Sequence, residues 1–187
     1  LRKIGIVARP LLGWQVPILC SSEHAKAKIN NIDSKKILEI LENKEVPIIA
    51  GFQGIDENNN IVTLGRGGSD TSAVAIAASI SADRCDIYTD VDGIYTCDPR
   101  IVSKAKKLDR ISYEEMLEFA SLGAKVLQTR SVEMAMRHNV TVQVLSSQTG
   151  QKGTFLIKED KKMENELVSG IAYTKDEANI TLINILD

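Results

Sequence analysis

The sequence is poor in cysteine, histidine and aromatic residues. Its 187 residues include three cysteines, two histidines and 4% aromatic side chains. An odd number of cysteines without a Cys-x-x-Cys pair argues against a disulfide framework and favours reduced thiols in the cytoplasm. His24 and His138 lie far apart in the sequence, without the spacing of metal ligands. We therefore predict a cytoplasmic protein that has no structural metal site.

Long apolar runs and a strong net charge are also absent. No run approaches the roughly 20 residues that span a bilayer, no signal peptide is visible, and the formal net charge is −2. This nearly neutral balance argues against general binding to nucleic acid or to a membrane surface. Because the chain begins with Leu1 in a stretch of strand character, we expect it to be cut from a longer protein.

Short apolar runs alternate with helical patterns along most of the chain. The strand-like runs are Ile4–Ala8, Val16–Leu19, Val46–Ala50, Ile61–Leu64, Cys85–Thr89, Thr141–Leu145 and Thr154–Ile157. Helices are predicted over Lys35–Asn43, Asp70–Ala82, Ser112 to about Ala120, and Lys125–His138. This alternation predicts an α/β domain with a mostly parallel sheet. In such folds ligands bind at the carboxyl ends of the strands.

Local signals give further detail for two of the predicted helices. Ser112 and Glu115 have the spacing of a capping box, which predicts a helix start at this point. The first predicted helix carries Ile37, Leu38 and Leu41 on one apolar face, so we expect these three side chains to be buried.

The densest glycine cluster, Gly65–Gly68, lies between a predicted strand and a predicted helix. Glycines allow backbone N–H groups to approach an anion closely. The helix that follows, capped by Ser69 or Asp70, points its positive end at the same place. Arg66 adds a planar fork suited to a carboxylate or phosphate. The segment matches neither a Walker loop nor a dinucleotide fingerprint. It predicts an anion site, the alternative being a tight turn with an exposed arginine.

A second polar segment follows the predicted strand Cys85–Thr89. Asp90 and Asp92 suit ribose hydroxyls or a magnesium ion at a strand end, although ordinary turn carboxylates also occur there. Pro99 stiffens the next loop, and Arg100 places another guanidinium nearby. By itself this segment is compatible with a nucleotide site without requiring one.

The segment Gly123–Val126 opens the last predicted helix and carries Lys125. A lysine at the positive end of a helix is electrostatically unfavourable unless an anion binds there. A nucleotide phosphate would remove the conflict, and an exposed first-turn lysine is the equally simple alternative.

Three motifs occur in order: LGRGGSD at Leu64–Asp70, TDVDGIYTCDPR at Thr89–Arg100 and GAKVL at Gly123–Leu127. Together they resemble the aspartokinase family of the amino-acid kinase superfamily, from about Gly13 to Ile157. The resemblance implies a three-layer αβα sandwich with a mostly parallel sheet over residues 1–158. It implies a charged linker and the truncated start of an ACT-type regulatory domain over residues 159–187.

The implied reaction transfers the γ-phosphoryl group of ATP, with Mg²⁺, to the side-chain carboxylate of L-aspartate, a first step toward lysine, threonine and methionine. Arg66 would bind the α-carboxylate of aspartate, Asp70 would orient lysines, and Lys125 would neutralise the transferring phosphates. The remaining substrate-binding residues would be Phe52, Gly67, Gly68 and Ser69. The nucleotide would be surrounded by Thr89, Asp90, Tyr95, Asp98, Arg100, Lys125 and Val126. The resemblance further implies a homodimer and an amino-acid effector on the ACT region.

The sequence departs from the family in lacking its Lys-Phe-Gly-Gly-Thr motif and an upstream acidic substrate ligand. Both would precede Leu1, so we expect the chain to be nearly inactive by itself. Gln128-Thr129 also stands where many family members have His-Pro. Two alternatives stay open. One is another kinase of the superfamily, acting on acetylglutamate, glutamate or a nucleoside monophosphate, and the other is a non-catalytic nucleotide-binding fragment.

Overall fold

The structure is a computed structural model that describes residues 1–123, 126–159 and 170–172. The helices are α1 (Lys35–Glu42), α2 (Gly68–Ser79), α3 (Tyr113–Ser121) and α4 (Thr129–His138). The first strands are β1 (Ala8–Leu11), β2 (Ile18–Cys20), β3 (Ile29–Ile32), β4 (Val46–Ile49) and β5 (Gln53–Ile55). The others are β6 (Ile61–Thr63), β7 (Cys85–Thr89), β8 (Arg110–Ser112), β9 (Val142–Ser146) and β10 (Thr154–Ile157).

These strands pair into three sheets with the orders β1-β4, β3-β2-β5-β6 and β7-β9-β10-β8. The pairs β1/β4, β2/β5, β7/β9 and β8/β10 are parallel, and β2/β3, β5/β6 and β9/β10 are antiparallel. The α/β class with mostly parallel pairing is therefore confirmed. The predicted ACT-type start at 159–187 lies outside the described residues, apart from Glu159 and Gly170–Ala172.

The main hydrophobic core lies between helices α2, α3 and α4 and the sheet β7-β9-β10-β8. Its fully buried members include Ile111, Met116, Val132, Val144 and Leu156. All five residues of strand β9 are buried. Its neighbours β7 and β10 cover its two edges, and its residues Val142 and Val144 pack in the main core with residues of the helices.

The N-terminal expectations were partly wrong. Ile4–Ala8 does not form a strand: a short 3₁₀ helix covers Arg2–Ile4 and ends at Gly5, whose φ is 78°. The apolar run that begins at Val46 does form β4, but it is not buried, since Val46 and Ile48 are 39% and 47% exposed. Among the described residues β4 pairs only with β1, and Ile49 of β4 packs against the apolar cluster that contains Leu11 of β1.

Helix α1 was predicted with the correct position but a partly wrong buried face. The structure buries Ile37 and Ile40, while Leu38 and Leu41 are 40% and 42% exposed. All four side chains satisfy helical periodicity, so only the packing against β4 and the neighbouring apolar cluster decides which of them face inward.

Helix α3 starts as the sequence predicts. The Ser112 hydroxyl accepts a hydrogen bond from the Glu115 amide at 3.1 Å, and the Glu115 carboxylate accepts one from the Ser112 amide at 2.8 Å. This reciprocal capping box is confirmed. Within the described residues no helix has the length and apolar character needed to cross a bilayer.

Candidate active site

The glycine cluster forms a tight turn between β6 and α2. Gly65 and Gly67 have φ values of 75° and 70°, in the left-handed region that glycine adopts without strain. The Gly68 amide donates a hydrogen bond to the Gly65 carbonyl at 2.9 Å, which closes the turn around Arg66. The strand-to-helix turn predicted from the sequence is therefore present.

The start of α2 differs from the prediction by a few residues. Neither Ser69 nor Asp70 caps the helix, because the helix already begins at Gly68 and its N-cap is Gly67. The Thr71 amide and hydroxyl both donate to the Gly67 carbonyl, at 3.0 and 2.9 Å. The left-handed conformation of Gly67 thus brings the chain directly into the helix without a side-chain cap.

The glycine turn is packed closely on two sides, as far as the described residues show. A Cβ atom on Gly65 would clash with the backbone carbonyl oxygen of Ala25. A Cβ atom on Gly67 would clash with the side chain of Gln128, immediately before α4. The turn therefore requires glycine for space as well as for conformation.

Phe52 lies beside this turn, as the substrate-pocket prediction expects. Its own φ is 70°. The Phe52 amide donates to the Ser72 hydroxyl at 3.3 Å, and the Phe52 carbonyl accepts from the Leu64 amide at 3.0 Å. A Cβ atom on Gly68 would lie 2.9 Å from the Phe52 ring. The structure therefore brings together Phe52, Gly67, Gly68 and the exposed Ser69.

Arg66 projects from the turn into an open pocket of about 430 Å³. The pocket is lined by Ala25, Lys26, Arg66, Gln128, Thr129 and Arg130. None of these residues is acidic, and the N-terminal end of α4 adds its positive dipole end. Arg66 is exposed and makes no hydrogen bond or ion pair with another described residue. The pocket therefore suits an anion such as a carboxylate or phosphate.

Arg130, which was not predicted from the sequence, lines the same pocket and binds the residue before the turn. Its guanidinium donates one hydrogen bond to the Leu64 carbonyl and another, at 2.7 Å, to the Ala27 carbonyl. The sequence contained a signal for it. A cation in the first turn of a helix is unfavourable without a partner, and the helix actually begins at Thr129, so the first-turn cation is Arg130.

Lys125 was predicted to open that helix, and it lies outside the described residues. The prediction that α4 begins there is wrong, because Gln128 is still extended, with φ −83° and ψ 140°. Leu127 is buried in the main core, and Val126, predicted to contact nucleotide, is partly buried against the same core. These apolar contacts fix the segment that precedes the helix.

Asp70 is partly buried in the first turn of α2, where the helix dipole favours a carboxylate. Desolvation by burial nevertheless raises the pKa of this carboxyl above its ordinary value. Among the described residues it has no hydrogen bond or ion pair. The site therefore holds an acid whose charged form would be stabilised by a cation placed beside it.

The predicted nucleotide residues follow the carboxyl end of β7, as expected. The Thr89 hydroxyl donates to the Asp90 carboxylate at 3.0 Å. The Tyr95 hydroxyl donates to the Asp92 carboxylate at 3.1 Å, and Lys107 Nζ lies 3.4 Å from Asp92. Burial would raise the pKa of Asp92, but the hydrogen bonds from Tyr95 and Lys107 outweigh it, and the pKa is lowered.

Asp98 and Arg100 form an exposed pair further along the same loop. Two guanidinium nitrogens of Arg100 bind the Asp98 carboxylate, at 3.0 and 2.8 Å, and these bonds lower the pKa of Asp98. The Arg100 side chain is 87% exposed. In the described part of the chain no hydrogen bond or ion pair links this loop to the glycine turn, so the structure assembles the two predicted groups separately.

Thr154, on β10, anchors the loop that carries Tyr95. Its buried hydroxyl accepts a hydrogen bond from the Ile94 amide at 2.8 Å and donates one to the Leu108 carbonyl at 2.6 Å. A neighbouring bond joins the Ile171 amide to the Thr96 carbonyl at 2.7 Å. The predicted nucleotide loop is therefore fixed by contacts from β10 and from the Gly170–Ala172 segment.

Comparison with known proteins gives a consistent family assignment. The model of the amino acid kinase family matches residues 1–146. The chain is 53% identical over 188 residues to an aspartate kinase from Pseudomonas fluorescens, covering 100% of this chain and 46% of that protein. The chain thus spans about half the length of the curated relatives it matches.

Solved structures agree with this assignment. Aspartokinase III of E. coli, in complex with aspartate and ADP, has a TM-score of 0.75 and 34% identity over 86% of this chain and 37% of that one. Aspartate kinase from Synechocystis has a TM-score of 0.71 and 41% identity, over 84% of this chain and 26% of that one. They confirm the expected fold and the resemblance to aspartokinases. The chain belongs to the amino acid kinase family.

Proposed function

We propose that this chain is the nucleotide-binding part of an aspartate kinase, which transfers the γ-phosphoryl group of ATP to the side-chain carboxylate of L-aspartate. The observation that carries the proposal is the pocket in front of the glycine turn, which has no acidic residue in its lining. In it Arg66, which has no partner in the described part of the chain, lies beside the N-terminal end of α4. Aspartokinase relatives match the chain over its whole length, and one solved neighbour is a complex with aspartate and ADP.

On the substrate side, Arg66 would hold the α-carboxylate of aspartate through a bidentate pair, which a guanidinium forms better than an ammonium group does. Phe52, Gly67, Gly68 and Ser69 would line the same pocket. In support, Phe52 packs against Gly68 in the turn that carries Arg66. Aspartate's own carboxylate would attack the γ-phosphorus, so no protein nucleophile is required.

On the nucleotide side, Thr89, Asp90, Tyr95, Asp98, Arg100 and Val126 would surround ATP, and Lys125 would neutralise the transferring phosphates. The assignment of Lys125 depends on the GAKVL match. Asp70, with its raised pKa, would hold a cationic side chain against the phosphoryl group. Mg²⁺ supplies charge neutralisation on the phosphate oxygens when bound. Catalysis by the chain would then consist of positioning and charge stabilisation.

The wider organisation belongs to the same proposal. The amino acid kinase part would occupy residues 1–158, and residues 159–187 would form a linker and the start of an ACT-type domain. We further propose a cytoplasmic homodimer whose ACT region binds an amino-acid effector. One solved neighbour, the E. coli aspartokinase III T-state, is a complex with lysine and aspartate, which supports control of this kind.

The test is formation of aspartyl phosphate, trapped with hydroxylamine, in the presence of ATP and L-aspartate. It should be run on the 187-residue chain and on the complete gene product, with acetylglutamate and glutamate as competing acceptors. We expect the complete product to phosphorylate aspartate alone. We also expect Lys125→Ala to lower its rate by about 10²–10³-fold, as the loss of a transition-state donor does.

Activity toward another acceptor would replace aspartate in this proposal by that acceptor. ATP binding by the complete product without any turnover would favour the non-catalytic alternative, a nucleotide-binding module. Near-normal turnover of Lys125→Ala would remove the lysine from the mechanism but leave the substrate assignment in place.

A further inference from the structure

Arg130 connects three segments that are far apart in the sequence. From the first turn of α4 it donates hydrogen bonds to the Leu64 carbonyl, 66 residues away, and to the Ala27 carbonyl, 103 residues away. Leu64 is the residue immediately before the glycine turn. One guanidinium therefore holds the entry of the turn and the neighbouring loop at a fixed separation.

The same helix end also contacts the far side of the turn. The aliphatic part of the Gln128 side chain lies against Gly67, where a Cβ atom would clash with it. Leu64 in turn donates to the Phe52 carbonyl at 3.0 Å. The start of α4 thus contacts the turn before Arg66, at Leu64, and after it, at Gly67. Through Leu64 it is also linked to Phe52.

Within residues 1–123, 126–159 and 170–172 the charge of Arg130 is not used in an ion pair. No carboxylate among the described residues lies within ion-pair distance of it, and the first turn of α4 contains no acidic residue. Its position at the positive end of a helix is electrostatically unfavourable. If position 130 served only for packing, an uncharged side chain would avoid this electrostatic cost. A planar fork that reaches two carbonyls at once, however, is available only from arginine.

We propose that Arg130 is a positioning residue that fixes the Leu64–Gly67 turn and thereby directs Arg66 at the carboxylate of the amino-acid substrate. This inference rests on the proposed function. Arg130 lines the same pocket as Arg66, but its guanidinium is bound to two backbone carbonyls. It therefore acts through the backbone of the turn, whereas Arg66 would touch the substrate. Its loss should therefore weaken binding of the amino acid more than binding of ATP, because the predicted nucleotide loop follows β7 and has no hydrogen bond to the turn within the described residues.

The experiment compares Arg130→Lys with Arg137→Lys in the complete gene product. Both positions lie on α4, and both substitutions keep the charge. Arg137 is exposed in the last turn and has no role in the pocket. Kinetics with aspartate and with ATP are measured together with the melting temperature and calorimetric binding of aspartate.

For Arg130→Lys we expect the KM for aspartate to rise about tenfold or more, the effect of losing one charge-assisted hydrogen bond. The KM for ATP should be unchanged, and Arg137→Lys should match the wild type. An unchanged KM for aspartate in Arg130→Lys would overturn the inference. So would a variant in which the KM for aspartate and the KM for ATP both worsen together with a lower melting temperature. If the wild type itself fails to phosphorylate aspartate, the proposed function has failed instead.

Discussion

Gly65→Ala is the substitution for which the structure allows the sharpest prediction. Gly65 has a φ of 75°, and an added Cβ atom would clash with the Ala25 carbonyl oxygen and lie 3.1 Å from its carbon. The clashing atoms belong to the backbone, so no side-chain rotation relieves the contact. Gly150→Ala provides the matched control, because Gly150 has a φ of 63° and no atom within 4 Å of the added Cβ.

The two substitutions share one energetic cost and differ in another. Placing alanine in the left-handed region costs about 1–2 kcal/mol at either position. Overpacking at Gly65 adds roughly 1–3 kcal/mol, since the loop at Ala25 must move. We therefore expect Gly65→Ala to lower the free energy of unfolding by about 2–5 kcal/mol. Gly150→Ala should lower it by only about 1–2 kcal/mol.

The assay is urea unfolding of the wild type and both variants, with linear extrapolation to water. The variants should share the slope of the wild type and differ in midpoint. Equal destabilisation by the two substitutions would refute the close approach of the Ala25 carbonyl to Gly65. It would also weaken the case for a rigid turn that carries Arg66.

Two further predictions concern a carboxylate in the pocket region and a helix cap. Because the pKa of Asp70 is raised in the folded chain, its charged form destabilises the fold as pH rises from its ordinary value of 3.8 through the folded-state pKa. Asp70→Asn should therefore be more stable than the wild type in urea at pH 7, lose kinase activity in the complete gene product, and show no stability advantage at low pH. A wild type at least as stable as Asp70→Asn at pH 7 would contradict this assignment. Ser112→Ala should cost about 1 kcal/mol by removing the cap of α3. Ser121→Ala, at the exposed end of the same helix, should cost clearly less in the same urea titration, and equal costs would count against the cap.

Features determined by neighbouring residues were predictable from the sequence. The capping box of α3 depends only on Ser112 and Glu115, which are three residues apart, and it is present as expected. The strands at Cys85–Thr89 and Thr154–Ile157 have the expected bounds. Glycines at positions 65 and 67 predicted the turn, because left-handed conformations and close packing are local demands that few other residues meet.

Features decided by distant contacts were not predictable. Helical periodicity allowed Ile37, Leu38 and Leu41 as the buried face of α1, and only its packing partner selects Ile37 and Ile40. The first-turn position of Arg130 was a signal for an unusual cation, but its partners are carbonyls 66 and 103 residues away, which no local pattern identifies. The start of α4 was placed too early, because the core contacts of Val126 and Leu127, which precede the helix, are also tertiary.

The hydroxyl of Thr154 has a consequence for how this chain can vary in evolution. Valine has nearly the same shape, yet it would leave the Ile94 amide and the Leu108 carbonyl without their buried partner. Each buried polar group that is left without a hydrogen bond costs about 1–3 kcal/mol, a large fraction of the stability of a typical domain. We therefore expect the hydroxyl oxygen at this position to matter more than side-chain volume. Although serine is smaller than threonine, it should replace Thr154 in related sequences more often than valine does.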